Sequence, residues 1–340
     1  MTDWGDGLYA KVADRIRDLF IPAHHGQDFD SLKVLRFFSW DGWQPIKDSD
    51  GGGEIDKADL RFNVSKVLDN LCHGGTPLLK RIGRRGYFRV IDYELDTMDL
   101  KAARGAPTLD LRWPFALERY VLLYAGNLTV VAGTSNSAKS AFVNDFLVKN
   151  MWRHDTHLFS SDMAAEELAD RLEPLELSED APIWNNCHER TSDFADVIRP
   201  DSINAVDYVE YVENVVEIKQ EIEEIYRRMK GGRGMCLITI QKKGDEKNIK
   251  GQIIKHPLGY GGATTLSRPK LYITLDPSTL SIYKAKKRAQ REVNPNGKTW
   301  RYGLVQGARF VSIVEIDNDG NEIAQPDLPA DKDRPARVEF

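Results

Sequence analysis

The sequence predicts an α/β protein: a mostly parallel sheet with flanking helices, preceded by a small α+β domain. Three observations point there. From Trp113 to about Phe310, apolar strand-like runs alternate with amphipathic helical stretches, as a parallel sheet with crossover helices requires. One strand-to-helix junction, Gly133–Ser140, is a short polar loop carrying a lysine and a serine. Ahead of this region, helical segments lead into a basic hairpin. The chain has 340 residues, enough for one large core plus a small appended domain.

Composition narrows the class. Hydrophobic residues make up 41% and charged residues 29%, a soluble globular balance. No apolar run reaches the ~18–20 residues that span a bilayer. The first twenty residues carry Asp3, Asp6 and Asp14 and lack an apolar signal-peptide centre. A cytoplasmic protein without a membrane partner is expected. Cys72, Cys187 and Cys236 form no C-x-x-C pair, so neither a disulfide framework nor a zinc site is expected. His24 and His25 are adjacent, but nothing nearby completes a metal set. The formal net charge of −5 argues against a protein coated in nucleic acid. Binding uses local patches, however, and the basic residues here are clustered.

Residues 1–92 read as the small domain. Val12, Ile16, Leu19 and Phe20 give Ala10–Phe20 a helical stripe. Ser31 is placed to cap a helix over Leu32–Phe38. KDSDGGGE, Lys47–Glu54, is a polar glycine-rich loop. Val64, Val67, Leu68 and Leu71 make a helix of Val64–Cys72, stopped by Gly74 and Gly75. Leu78–Ile91 then reads as two short strands joined at Gly83–Gly86. This order resembles a winged helix-turn-helix. Lys80, Arg81, Arg84, Arg85 and Arg89 sit in the hairpin without an acidic residue, a charge that suits duplex DNA. A protein partner is the other reading of such an edge. Residues 93–112 are acidic, then proline-interrupted, and read as a linker. Residues 113–316 form the large domain, and residues 317–340 an acidic, flexible tail.

The chemistry concentrates after NLTVVA, Asn127–Ala132, a buried-strand run. Gly133, Thr134, Ser135, Asn136, Ser137, Ala138, Lys139 and Ser140 follow, and then a helix through Ala141, Phe142, Phe146 and Leu147. Strand, loop, lysine-serine and helix form the context of a P-loop. Loop amides and the helix N-terminus hold negative charge. Lys139 is expected to neutralise the phosphates of ATP, and Ser140 to place its hydroxyl on Mg2+. The usual glycine before the lysine is Ala138. LFSSDM, Leu158–Met163, reads as the next strand and runs into a helix, AAEELADRL. INAVD, Ile203–Asp207, is a strand ending in an acid suited to the Mg2+ water shell. A helix over Val215–Met229 has Val215, Ile218, Ile222, Ile225 and Met229 as its buried stripe. MCLITI, Met235–Ile240, is a strand ending in Gln241.

GTSNSAKSAF, FSSDMAAEEL, INAVDYVEYV and LITIQKK, in that order and spacing, resemble the RecA-like ATPase domain of DnaB-type replicative helicases and the short phage and plasmid ATPases related to them. The likeness covers about 113–310. It implies a DNA-stimulated, homo-oligomeric ATP-hydrolysing motor of helicase type, from a phage or mobile element, with a hexamer among its forms. Asp162 stands where the family's catalytic glutamate ends the second strand, and Asp207 matches the Mg2+-associated acid. Gln241 matches the glutamine that senses the γ-phosphate. In IYKAKKR, Ile282–Arg288, Lys286 and Arg288 match cations that reach the neighbouring subunit's nucleotide. NPNGK, Asn294–Lys298, is a turn. The Lys242–Arg268 loop, with Lys242, Lys243, Lys247, Lys250 and Lys255 and five glycines from Gly244 to Gly262, resembles the central loops that grip single-stranded DNA. The family's helical N-terminal domain is absent. A nucleotide-gated DNA-binding scaffold or loader, with slow hydrolysis and no unwinding, is therefore the alternative. A winged-helix transcription regulator with a vestigial loop is a third reading.

Overall fold

The computed structural model describes residues 7–41, 46–47, 54–83, 86–95, 97–209, 215–247, 251, 253–317 and 319–323. The chain divides into two compact units, Met1–Ala103 and Arg104–Phe340.

The first unit begins with α1 (Leu8–Arg15), which continues through a π-helical turn at Ile16–Phe20 into α2 (Ile21–Ala23). Strand β1 (Asp28–Asp30) leads into α3 (Ser31–Phe37). The cap of α3 is Asp30, not Ser31: its carboxylate accepts from the Lys33 amide at 2.9 Å, and Ser31 is already the first helical residue. Two-residue strands β2 (Ile46–Lys47) and β3 (Glu54–Ile55) pair across the glycine-rich loop, whose centre lies outside the described residues. Helix α4 runs from Lys57 to Asn70, starting earlier than the apolar spacing predicts. Asp56 sets that start by accepting from the Ala58 amide at 2.6 Å. Strands β4 (Leu79–Arg81) and β5 (Tyr87–Val90) form the hairpin, and the antiparallel order is β1-β5-β4. Ile16, Phe20, Val34, Leu68 and Val90 are buried at its centre.

The second unit follows β6 (Leu128–Gly133) with α5 (Lys139–Asn150), β7 (Thr156–Ser160), α6 (Ala165–Leu172) and β8 (Cys187–Glu189). Next come α7 (Phe194–Val197), β9 (Ile203–Val209), α8 (Val215–Met229) and β10 (Met235–Gln241). A two-residue ribbon, β11 (Glu246–Lys247) and β12 (Ile253–Ile254), precedes β13 (Leu271–Asp276), β14 (Thr279–Ala285), β15 (Thr299–Val305) and β16 (Arg309–Ile316). One sheet carries nine strands in the order β16-β15-β14-β13-β6-β10-β9-β7-β8. From β13 to β8 the pairing is parallel, and from β13 to β16 it is antiparallel. Alternation of strand and helix therefore ends at β13, short of Phe310. Only Pro277 and Ser278 separate β13 from β14, and Ser278 takes φ 66°; so short a connection permits only an antiparallel return.

Both faces of the parallel strands are covered. Val131, Leu237 and Ile273 pack with Phe142 and Phe146 of α5. Val130 and Ile238 pack on the other face with Ile218, Ile222, Ile225 and Met229 of α8. In register, Gly133 stands beside Gln241 and Leu275, and Ser160 beside Asp207. The carboxyl ends of β6, β7, β9, β10 and β13 thus share one edge of the sheet, where α/β proteins place their ligands. Among the described residues, no helix is long and apolar enough to cross a membrane. Residues 324–340, most of the expected tail, lie outside the described residues.

Candidate functional site

The loop after β6 closes on itself. A Cβ at Gly133 would meet Ser137 Oγ at 2.2 Å and Lys139 Cγ at 2.8 Å, so only glycine fits there. Ser137 Oγ donates to the Thr134 carbonyl at 2.8 Å. The Tyr302 hydroxyl, arriving from β15, lies 3.2 Å from the Ser137 carbonyl and 3.1 Å from that of Asp276. Burial raises the Tyr302 phenol to about 12, so it stays a donor. Ala138 is left-handed, at φ 64° and ψ 27°, immediately before α5. An L-residue there costs roughly 1–2 kcal/mol, the physical reason glycine is usual at this place.

Lys139 opens α5 and folds its ammonium back over the loop. Its Nζ donates to the Thr134 carbonyl at 2.9 Å and lies 3.3 Å from that of Gly133. Desolvation lowers its pKa, and the negative charges of Asp207 and Asp162 oppose that shift. Asp207 is buried within β9. Its Oδ1 accepts from Thr239 Oγ1 at 2.7 Å, whereas Oδ2 is buried without a hydrogen-bond partner. A buried, bare carboxylate oxygen is costly unless positive charge meets it. Ser140, half-buried, lies on the first turn of α5. Oxygen donors of this kind suit a hydrated divalent cation, so the residues present fit Mg2+.

Asp162 lies two residues beyond the end of β7. Desolvation raises its pKa, and repulsion from Asp207 raises it further. Ser161 Oγ donates to the Tyr208 carbonyl at 2.7 Å and accepts from the Tyr208 amide at 3.1 Å, tying the end of β7 to β9 beside Asp207. Gln241 Nε2 donates to Ser135 Oγ at 2.7 Å, joining the end of β10 to the loop after β6. Sequence reasoning missed Thr239, Ser161 and Tyr302. Thr239 left a trace, as the polar residue two before Gln241 in an otherwise apolar run.

The basic residues separate into different settings. Lys242, expected on a DNA-gripping loop, is instead buried and paired with Asp276 at 2.6 Å. An ammonium held there is not a surface contact for DNA, and that expectation is corrected. Lys243 pairs with Glu246 at 2.6 Å, Lys247 and Lys255 are exposed, and Lys250 lies outside the described residues. Lys286 and Arg288 are exposed at the opposite edge of the sheet from Gly133. There Ala285 stands beside Leu271, and the Lys286 amide donates to the Lys270 carbonyl at 2.9 Å. In the first unit Lys80 is exposed and Arg81 pairs with Asp69, while Arg84 and Arg85 lie outside the described residues.

No family model matches the chain, and no curated protein matches it. Among solved structures, the RadB recombinase is similar at 11% identity and a TM-score of 0.39, over 55% of this chain and 91% of that one. A KaiC-like protein from the hyperthermophilic archaeon Pyrococcus horikoshii is similar at 14% identity and a TM-score of 0.42, over 62% of this chain and 99% of that one. At these scores neither likeness carries the functional reading, which stands on the geometry of the sheet edge.

Proposed function

We propose that this edge binds ATP with Mg2+ and hydrolyses it. One observation carries the reading: the Lys139 ammonium is held inside a glycine-closed loop within the field of Asp207 and Asp162, and Asp207 keeps a buried oxygen unpaired. Lys139 neutralises the β and γ phosphates, and the loop of Gly133–Ala138 with the first turn of α5 cradles them. Ser140 and Asp207 hold Mg2+, which when bound supplies charge neutralisation at those phosphates. Asp162 accepts the proton of the attacking water, a role its raised pKa suits. Gln241 reads the γ-phosphate through its place beside Ser135.

The wider reading is an oligomeric, DNA-stimulated motor of the DnaB-like, helicase type. Lys286 and Arg288 lie too far along the sheet to serve their own loop, which favours action on the nucleotide of a neighbouring copy. Exposed Lys247 and Lys255, with Lys243 and Lys250, track single-stranded DNA. In residues 1–92 the order helix, strand, helix, two-residue ribbon, helix, hairpin supports a winged helix, whose Lys80, Arg81, Arg84 and Arg85 meet duplex DNA or a protein partner.

A second reading is a nucleotide-gated scaffold or loader with slow hydrolysis. Strained Ala138, and an aspartate one methylene shorter than glutamate at position 162, favour it. ATP turnover with and without a single-stranded oligonucleotide separates the two. Stimulated turnover supports the motor. ATP binding with slight, unstimulated turnover supports the scaffold, and no ATP binding sinks both.

A further inference from the structure

One residue of the loop after β6 is held in a conformation that its own side chain disfavours. Ala138 takes φ 64° and ψ 27° immediately before α5, where an L-residue is strained and glycine is not. The peptide joining Ser137 to Ala138 decides whether that conformation persists. A half-turn of this peptide carries φ of Ala138 to a negative value, where alanine is relaxed. A planar trans peptide also points its carbonyl and its amide in opposite directions. The same half-turn therefore reverses the direction of the Ala138 amide.

A hydroxyl holds this peptide, and it comes from β15, three places from β6 in the sheet. The Tyr302 hydroxyl lies 3.2 Å from the Ser137 carbonyl. Among the described residues no other donor meets that carbonyl, and the Ala138 amide on the opposite side of the peptide has no acceptor. The hydroxyl is itself firmly placed. Tyr302 is buried, and its ring meets those of Phe115 and Phe310 edge-on, at centroid distances of 5.4 and 5.0 Å. Its amide donates to the Ser278 carbonyl at 2.9 Å. Its one hydroxyl proton is shared with the Asp276 carbonyl at 3.1 Å, so it ties the loop to the end of β13.

We infer that Tyr302 is a positioning residue: its hydroxyl holds the Ser137–Ala138 peptide against the flip that alanine favours, and so keeps the Ala138 amide turned away from β15 and toward the nucleotide phosphates. The inference rests on the ATP reading of this loop. It makes Tyr302 the counterpart of the missing glycine. A glycine at position 138 would be unstrained in the left-handed region and would need no such hold. Tyr302 acts through the Ser137 carbonyl and touches no phosphate.

The test is a double-mutant cycle in the full chain: wild type, Tyr302→Phe, Ala138→Gly and the two together. Each protein is titrated calorimetrically with Mg2+-ATP and melted in parallel. Tyr302→Phe removes only the hydroxyl and keeps the ring between Phe115 and Phe310. It should weaken ATP binding about tenfold in the alanine chain and about twofold or less in the glycine chain. Ala138→Gly alone should bind ATP at least as tightly as the wild type. A merely structural hydroxyl would lower the melting temperature alike in both backgrounds and leave affinity alone. That result overturns the inference, and so does an equal loss of affinity in the two backgrounds. A second measurement needs no variant: hydrogen exchange at the Ala138 amide of the wild type should slow about tenfold or more when Mg2+-ATP binds. Exchange that bound ATP does not slow overturns the inference and leaves the site reading standing. A wild type that binds no ATP overturns the site reading itself, and the inference with it.

Discussion

The carboxyl edge of the large sheet and the basic hairpin of the first unit are both rich in charge, but they hold it differently. In the hairpin, Arg81 meets Asp69 on the surface, and that guanidinium holds the Asp69 carboxyl below the usual aspartate range. Arg89 likewise faces Asp28 at 4.0 Å, with both side chains exposed. At the sheet edge, Asp207 keeps an oxygen buried without a partner, burial pulls the Lys139 pKa down, and desolvation with Asp207 pushes that of Asp162 up. Unmet polar valence at a cluster of ionisable groups, not charge density, is what sets the sheet edge apart from the hairpin.

That contrast is open to breakage by substitution. The largest effect belongs to Asp162→Asn, which should lower turnover about a hundredfold or more while ATP affinity is retained, because an amide cannot accept the water's proton. Unchanged turnover would move the role elsewhere, with Glu166 and Glu167 on the first turn of α6 nearest in sequence. The same residue sets a pH dependence. A base must be ionised, and its pKa is raised, so turnover should rise with pH through a limb above the range of an exposed aspartate. A pH–rate profile whose acid limb lies in the ordinary aspartate range would contradict this.

Thr239→Val comes next. It removes the hydrogen bond that Asp207 Oδ1 accepts from Thr239, in a carboxylate whose Oδ2 has no partner among the described residues, which should cost about 1–3 kcal/mol by denaturant titration. Mg2+ should recover part of that loss, since it meets the same carboxylate. Ala138→Gly should act in the opposite direction, stabilising by up to about 1 kcal/mol as the left-handed strain is released. A lower melting temperature would show that the alanine is not strained. The smallest effect is expected from Arg81→Ala. Its pair is exposed, so melting temperature and ATP turnover should both stay at wild-type values. A turnover change would tie the hairpin to the nucleotide chemistry and blur the contrast.

The parts that were legible in the sequence are those whose chemistry is contiguous. Gly133 through Ser140 spells out loop, cation and helix start in eight successive residues. The placement of Asp207 and Gln241 on strands was legible because each lies at or near the end of a strand-like apolar run. Lys242 and Lys243 were not told apart. They are neighbours in sequence, yet one is buried against a partner thirty-four positions away and the other is exposed. Tyr302 was invisible because it reaches Ser137 only through the strand order, which adds β14, β15 and β16 beside β13. The antiparallel return did leave a sign, the Pro277–Ser278 turn between two strand runs, which the expected alternation concealed. The caps of α3 and α4 were missed for a local reason. An aspartate one residue before each helix outweighs both the neighbouring serine and the apolar periodicity.

The central claim is that Lys139 holds a nucleotide phosphate. Calorimetric titration of Mg2+-ATP into the wild type and into Lys139→Ala tests it most directly, with melting temperature confirming that both chains are folded. The account predicts one binding isotherm in the wild type and its loss, or a weakening of about a hundredfold, in Lys139→Ala, since a charge-assisted contact to phosphate is removed from a partly desolvated site. Equal affinity in the two proteins would mean that the Gly133–Ser140 loop is not a phosphate site, and the account would fall with it.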